Sequence, residues 1–254
     1  MTQRTTPSVR AASVHIDVGV ATDRAQRAHN EDAVLAADGV YVVADGMGGH
    51  ESGDVASRTA VETLQALSRG VPDVARARAV LRAAHARLRA LPASDELRRP
   101  GTTASGVVLS EHDGTPCWLV LNVGDSRTYR MAGGVLEQVT QDHSEIAELV
   151  ASGVVPPQDA ARYPRRNVVT RALGGGSETV DPDVFWLPVS PGDRMLVCSD
   201  GLTDELPDSR IEAELKAEAD PQAAADRLVG AALAAGGSDN VTVLVVDATL
   251  QQRA

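Results

Sequence analysis

Aromatic side chains are nearly missing from this chain: one Phe, two Trp and three Tyr in 254 residues. An interior built without them must be filled by Val, Leu and Ala, and the 43% hydrophobic share is enough to do so over this length. Cysteine is equally scarce. Cys117 and Cys198 stand in no metal-ligand spacing and both lie in apolar runs, so each is expected to act as a small buried hydrophobe rather than in a disulfide framework. No run approaches the ~20 apolar residues needed to span a bilayer. The opening MTQRTTPSVR has no apolar stretch behind it of the kind a secretory signal carries. A cytoplasmic protein is the expectation. Basic residues are outnumbered, 24 against 35 acidic, for a net charge of −11. That balance excludes a general nucleic-acid binder and gives no handle for an anionic membrane. It suits a cation site wherever the acids cluster.

What is present is a strand-rich pattern with paired helices. Residues 1–10 are polar and expected to be flexible. Val14, Ile16, Val18 and Val20 alternate with polar or small residues, a period-two strand. Ala33–Ala37 and Val40–Ala44 are joined at Asp38-Gly39, a hairpin signal. Ser52 reads as the cap of a helix with Val55, Ala60, Leu64 and Leu67 on its apolar side. A second helix is expected from about Asp73 to Leu91. Strands follow at Thr102–Leu109, Cys117–Val123, Arg127–Met131 and Val135–Thr140. Residues 142–180 form a long irregular insert with a short helix near Ile146–Val150, four arginines (Arg162, Arg165, Arg166, Arg171) and Gly174-Gly175-Gly176, read as a flexible loop. Strands return at Val184–Leu187, Met195–Cys198 and Val241–Val246, with helices at Ser209–Ala217 and Pro221–Ala235.

Several of these strands are apolar on both faces, so both faces must be covered. Hairpin-length connections imply antiparallel pairing, and helices that come in sequential pairs argue against a doubly wound sheet. Two antiparallel sheets packed together, with a helical layer outside each, satisfy all three conditions. The predicted fold is α+β, a four-layer α/β/β/α sandwich, in one domain from residue 11 to 254.

Acids sit where those strands end. Asp45 follows Val40–Ala44, Asp125 follows Trp118–Gly124, Asp200 follows Met195–Ser199, and Asp239 stands just before Val241–Val246. In antiparallel sheets the end of one strand lies beside the start of another, so all four can gather at one edge. Asp204 and the pair Glu31-Asp32 can join them. Oxygen donors without a His or Cys set favour Mg²⁺ or Mn²⁺. Two such ions roughly 3.5–4 Å apart are a clamp for phosphate-ester hydrolysis. Arg27 supplies a fork for phosphoryl oxygens.

The ordered set Arg27-x-x-Asn30-Glu31-Asp32, Ala44-Asp45-Gly46-Met47-Gly48-Gly49-His50, Gly101-Thr102-Thr103-Ala104, Gly124-Asp125-Ser126-Arg127, Ser199-Asp200-Gly201 and Asp239-Asn240 resembles the bacterial metal-dependent Ser/Thr protein phosphatases of the 2C (PPM) class, over about Ser13 to Asp247. The resemblance implies the same sandwich. It also implies that Asp45 bridges two metals, that Asp200 and Asp239 complete one site, and that the Gly46 carbonyl serves the other. Glu31 and Asp32 then act through metal-bound water, Asp125 and Asp204 hold a third, weaker ion, Arg27 binds substrate phosphate, and residues 142–180 form the flap beside the site. Some members carry a His directly after the bridging Asp-Gly as a proposed general acid. Here that position is Met47, and His50 is the candidate in its place.

The implied activity is hydrolysis of phosphoserine and phosphothreonine by water activated at a dinuclear Mg/Mn centre, with no covalent phosphoenzyme. The absence of a CxxxxxR nucleophile loop agrees. Phosphorylated Ser/Thr proteins, including a Ser/Thr kinase, are the expected partners of a monomer, with no nucleic acid or membrane. A phosphatase dedicated to one regulatory protein and a non-catalytic phosphoprotein-binding pseudophosphatase are the alternatives. His143 is a candidate anchor of the flap, and His15, His29, His85 and His112 carry no assignable role.

Overall fold

In the computed structural model, which describes residues 13–48, 51–92 and 99–251, the alternating segment near the start becomes β1 (Ser13–Asp23). It pairs along its whole length with β12 (Val241–Gln251). β12 pairs on its other side with β11 (Asp193–Cys198), which pairs with β8 (Arg127–Ala132), and β8 with β9 (Val135–Gln138). The second sheet holds β2 (Ala33–Ala37), β3 (Val40–Ala44), β6 (Ala104–His112), β7 (Thr115–Val123) and β10 (Asp183–Pro188). The orders are β1-β12-β11-β8-β9 and β10-β7-β6-β3-β2. Both sheets are antiparallel throughout. A two-residue ladder joins β4 (Gly46–Met47) to β5 (Gly101–Thr102).

Period-two geometry explains the three cores. Ile16, Val43, Val107, Trp118, Met195 and Leu244 point inward and fill the space between the sheets. Their neighbours point out. Val42, Leu119 and Leu121 meet α1 (Glu51–Leu64) and α2 (Val74–Arg89) through Leu64, Leu81 and Leu88. On the other side Leu196, Val243 and Val245 meet α5 (Asp208–Ala217) and α6 (Pro221–Ala235) through Ile211, Leu215 and Leu228. The strands expected to be apolar on both faces are covered on both faces, and the α+β four-layer sandwich is the observed fold. Both cysteines are buried and free. Among the described residues no helix is long and apolar enough to cross a membrane.

The structure differs from expectation at a few places. Helix α1 starts at Glu51, so Ser52 lies inside its first turn rather than capping it. Val55 is exposed and Ala56 buried, which turns the apolar stripe by one residue. Asp73 does cap α2, its Oδ1 accepting from Arg76 N–H at 2.7 Å. The strand expected from Thr102 is interrupted at Thr103, which spends its main-chain N–H on Asp45. The flap contains α3 (Glu145–Ala151), capped by Ser144, and a 3-10 turn at Pro157–Arg162. Its Gly174-Gly175-Gly176 run is not simply a loose loop. Gly174 is buried and donates its N–H to His85 Nδ1 at 3.1 Å, while Leu173 and Thr102 exchange main-chain bonds of 2.8 and 3.0 Å. A single helical turn that no periodicity announced, α4 (Asp200–Thr203), follows β11.

The layering sets the expected response to core truncation. Leu244→Ala, in the space between the sheets, should lower unfolding free energy by about 2–5 kcal/mol, while Val55→Ala should stay within about 0.5 kcal/mol. Urea denaturation checks both, and equal losses would contradict the assignment of the two faces.

Candidate active site

Antiparallel packing brings the strand-end acids together. Strands β3 and β7 are both antiparallel to β6, so their C-terminal ends lie on the same side, and the end of β11 lies beside the start of β12. Asp45, Asp125, Asp200 and Asp239 all line one cleft of about 620 Å³, together with Arg27, Glu31, Gly46 and Met47. Asn167 and Val169 of the flap close its side.

Asp45, Asp32 and the loop of Glu31 each have a hydrogen-bonded support. Asp45 N–H donates to Thr103 Oγ1 at 2.9 Å, and the Asp45 carbonyl accepts from Thr103 N–H at 2.9 Å and Thr102 Oγ1 at 2.8 Å. Gly46 sits between the backbones of Glu31 and Gly53, and a Cβ there would collide with the carbonyl oxygens of both, so only glycine admits this approach. Its N–H donates to the Glu31 carbonyl at 3.2 Å. Asp32 Oδ2 accepts from Ser199 Oγ at 2.9 Å. Asn240 staples the preceding loop: its Oδ1 accepts from Glu31 N–H at 2.8 Å and its Nδ2 donates to the His29 and Arg24 carbonyls.

The electrostatics are those of crowded, buried carboxylates. Burial pushes Asp45 well above the usual carboxylate range, with Asp32, Asp200, Asp125 and Asp239 adding to it. Asp125 is raised to about 8 by burial first, then by Asp200 and Asp142. Asp32 reaches about 7 by burial, against hydrogen bonds from Thr242 and Ser199. Asp200 reaches about 6, again by burial first and then by Asp204 and Asp239. Glu31 is raised by burial, with Arg27 opposing.

Two arginines pair with predicted site acids, and of the two only Arg27 lines the cleft. Arg27 Nη2 lies 2.6 Å from Asp239 Oδ2, and its Nε donates to the Ser238 carbonyl. Arg166 of the flap lies 2.6 Å from Asp204 Oδ1, and Asn167 Nδ2 donates to Asp204 Oδ2 at 3.3 Å. Asp204 is thus held by Arg166 and Asn167, and neither it nor Asp32 is among the residues that line the cleft. His50 lies outside the described residues. Sequence reasoning gave no role to His29, Asn167 or Val169, and all three line the cleft. The one signal for them was membership of segments already tied to the site.

The donor set fits a hard divalent cation. Asp32 Oδ1 and Asp200 Oδ1 are buried without a hydrogen-bond partner, and every side-chain donor in the set is oxygen. Among the described residues no three acids or histidines stand close enough, as placed, to hold an ion. Asp239 is turned toward Arg27.

The protein phosphatase 2C family model matches residues 21–233. Among curated relatives, the serine/threonine phosphatase stp of Listeria monocytogenes is 35% identical over 246 residues, covering 91% of this chain and 96% of its own. The serine/threonine protein phosphatase PstP of Mycobacterium tuberculosis is 38% identical over 227 residues, covering 87% of this chain and 42% of the relative. A solved catalytic domain of serine threonine protein phosphatase PstP, in complex with 2 manganese ions, superposes with a TM-score of 0.79 at 33% identity, over 93% of this chain and 100% of that one.

The raised carboxylates make the metal-free protein pH-sensitive. Asp200, Asp32 and Asp125 hold protons in the folded state up to about 6, 7 and 8, against 3.8 ordinarily. The folded state binds more protons across that window, so stability falls as pH rises through it. The melting temperature of protein held in chelator should decline from about pH 5 to about pH 8, and Mn²⁺ should raise it most at the upper end. A melting temperature in chelator that is flat over this range would contradict the clustering.

Proposed function

Because this chain belongs to the protein phosphatase 2C family, we propose that it is a metal-dependent phosphatase that hydrolyses phosphoserine and phosphothreonine in proteins through a dinuclear centre. The observation that carries the reading is the set of four strand-end aspartates in one cleft, with orphaned buried oxygens on Asp200 and Asp32. When bound, a pair of Mg²⁺ or Mn²⁺ ions supplies a nucleophile from water at neutral pH and offsets charge on the phosphoryl oxygens. Asp45 would serve both ions, Asp200 and Asp239 would complete one of them and the Gly46 carbonyl the other, and Glu31 and Asp32 would act through water. Asp125 and Asp204 would hold a third, weaker ion.

Arg27 binds the substrate phosphate. Its side chain is half exposed at the mouth of the cleft, and its fork already engages a carboxylate, Asp239. An exposed ion pair of this kind is worth roughly 0–1 kcal/mol, so a dianionic phosphate exchanges readily with it. Met47 lines the cleft beside Gly46 and carries no transferable proton. Leaving-group protonation then falls to His50 or to water. The flap meets the cleft at Asn167 and Val169, next to where a peptide carrying the phosphate would lie. A cytoplasmic Ser/Thr kinase and its substrates are the natural phosphoproteins for such an enzyme, acting as a monomer.

Mn²⁺-dependent hydrolysis of p-nitrophenyl phosphate by wild type and Asp45→Ala tests the centre. The variant should lose at least about 10²-fold in kcat, the order for removing one charge-stabilising group; equal rates, or activity in chelator, would sink the reading. Deletion of residues 154–162 should change selectivity among phosphothreonine peptides while small-ester hydrolysis stays within about 3-fold, since remote contacts act on bound substrate. If both activities fall together, the segment has no selective role.

A further inference from the structure

We propose that His143 is a positioning residue that sets the Gly124-Asp125 peptide from the base of the flap. The inference rests on the reading of Asp125 as a carboxylate of the weakest metal site. His143 is 4% exposed, and three segments of chain cross at it. Its Nδ1 accepts from Gly124 N–H at 3.1 Å, and its own main-chain N–H donates to the Gly124 carbonyl at 2.9 Å. One residue is thus gripped at both of its main-chain polar groups. Because Nδ1 is the acceptor, Nε2 carries the proton and donates to Asp183 Oδ2 at 3.0 Å. The His143 carbonyl accepts from Thr170 N–H at 2.8 Å. Arg171 adds a second contact to Asp183, its Nη1 lying 3.4 Å from Oδ1 and 3.2 Å from His143 Nε2. His143 opens the flap, Thr170 lies within it, and Asp183 begins β10 where the chain leaves it.

On the far side of Gly124 there is no slack. Its φ is +108°, and a Cβ there would run into the side chain of Thr103. Thr103 is the residue that holds Asp45, and its Oγ1 also lies 2.7 Å from Ser126 Oγ, on the residue after Asp125. A displacement of Gly124 therefore meets both acid-bearing loops before any void can absorb it. The ring of His143 is not exchangeable packing in this arrangement, because its two nitrogens make bonds of opposite sense to two different segments. It acts through Gly124 on Asp125 and touches no substrate.

Three variants separate those bonds. His143→Asn keeps an acceptor near the Nδ1 position and loses Asp183, His143→Gln reaches toward Asp183 and loses the acceptor, and His143→Leu loses both. Calorimetric titration of the metal-stripped full chain with Mn²⁺ reads site affinity without turnover. Melting of the metal-free protein reads the fold. The Gln and Leu variants should weaken the weakest Mn²⁺ site by about 10-fold or more, the range for a lost hydrogen bond behind a metal ligand, and the Asn variant by less than about 3-fold. In p-nitrophenyl phosphate hydrolysis the same two should lose kcat with KM held. Wild-type Mn²⁺ affinity in His143→Gln overturns the inference. So does an equal loss in the Asn and Gln variants that tracks their melting temperatures, and neither result depends on His143→Leu folding. Asp125→Asn tests the premise separately: if it leaves the weakest site intact, the reading of Asp125 fails, independently of any His143 variant.

Discussion

Aspartates crowded and buried at one edge of the sheets, Asp45, Asp125 and Asp200, are the constraint around which this molecule is arranged. Burial where the sheets end raises the pKa of Asp45, Asp125 and Asp200, and the Asp200 carboxylate adds to the shift of both Asp45 and Asp125. A carboxylate in that position costs folding free energy unless it takes a proton or a cation. The rest of the structure makes the position possible. Two sheets with three cores fix the strand ends, and hydrogen bonds between the side chains of Thr102, Thr103 and Asn240 and the adjoining main chain hold the backbone that carries the acids. The site is thus bought with core stability, and a divalent cation returns part of it.

The sandwich was legible because its strands are apolar on successive residues. Val243, Leu244, Val245 and Val246 cannot belong to a sheet with one wet face, and the helices come in pairs that fit only outer layers. The acids were legible for a related reason: each stands at the end of such a run, where direction and register are already determined. The supports were not. Asp45 meets Thr103 across 58 positions, Asp32 meets Ser199 across 167, and Glu31 meets Asn240 across 209. No local pattern encodes a hydrogen bond between polar groups brought together only by the finished sheets.

Where expectation and structure part, the difference is of the same kind. Gly174-Gly175-Gly176 has the composition of a loose loop, yet Gly174 is buried under His85, a residue whose helical setting gave no hint of a partner 89 positions away. Ser52 has the chemistry of a cap, but α1 begins a residue earlier. Composition reports what a segment can do when nothing else touches it. Tertiary contact decides which of those options is taken.

The two kinds of support around the cleft differ in how easily they give way. Thr103, Ser199 and Asn240 hold their partners through buried or half-buried bonds, and breaking one leaves a polar group without water to replace it, at roughly 1–3 kcal/mol. The arginine contacts are different. Arg27 with Asp239 and Arg166 with Asp204 are short, but their side chains are 57% and 39% exposed, and exposed pairs are worth roughly 0–1 kcal/mol. A phosphate or a cation arriving at the cleft thus meets a fixed floor and an exchangeable rim. Specific chemistry at the floor needs the first property, and admission and release at the rim need the second. The division follows from burial alone: the same carboxylate–guanidinium pair placed at the depth of Asp45 would hold its partner too firmly to let a substrate in.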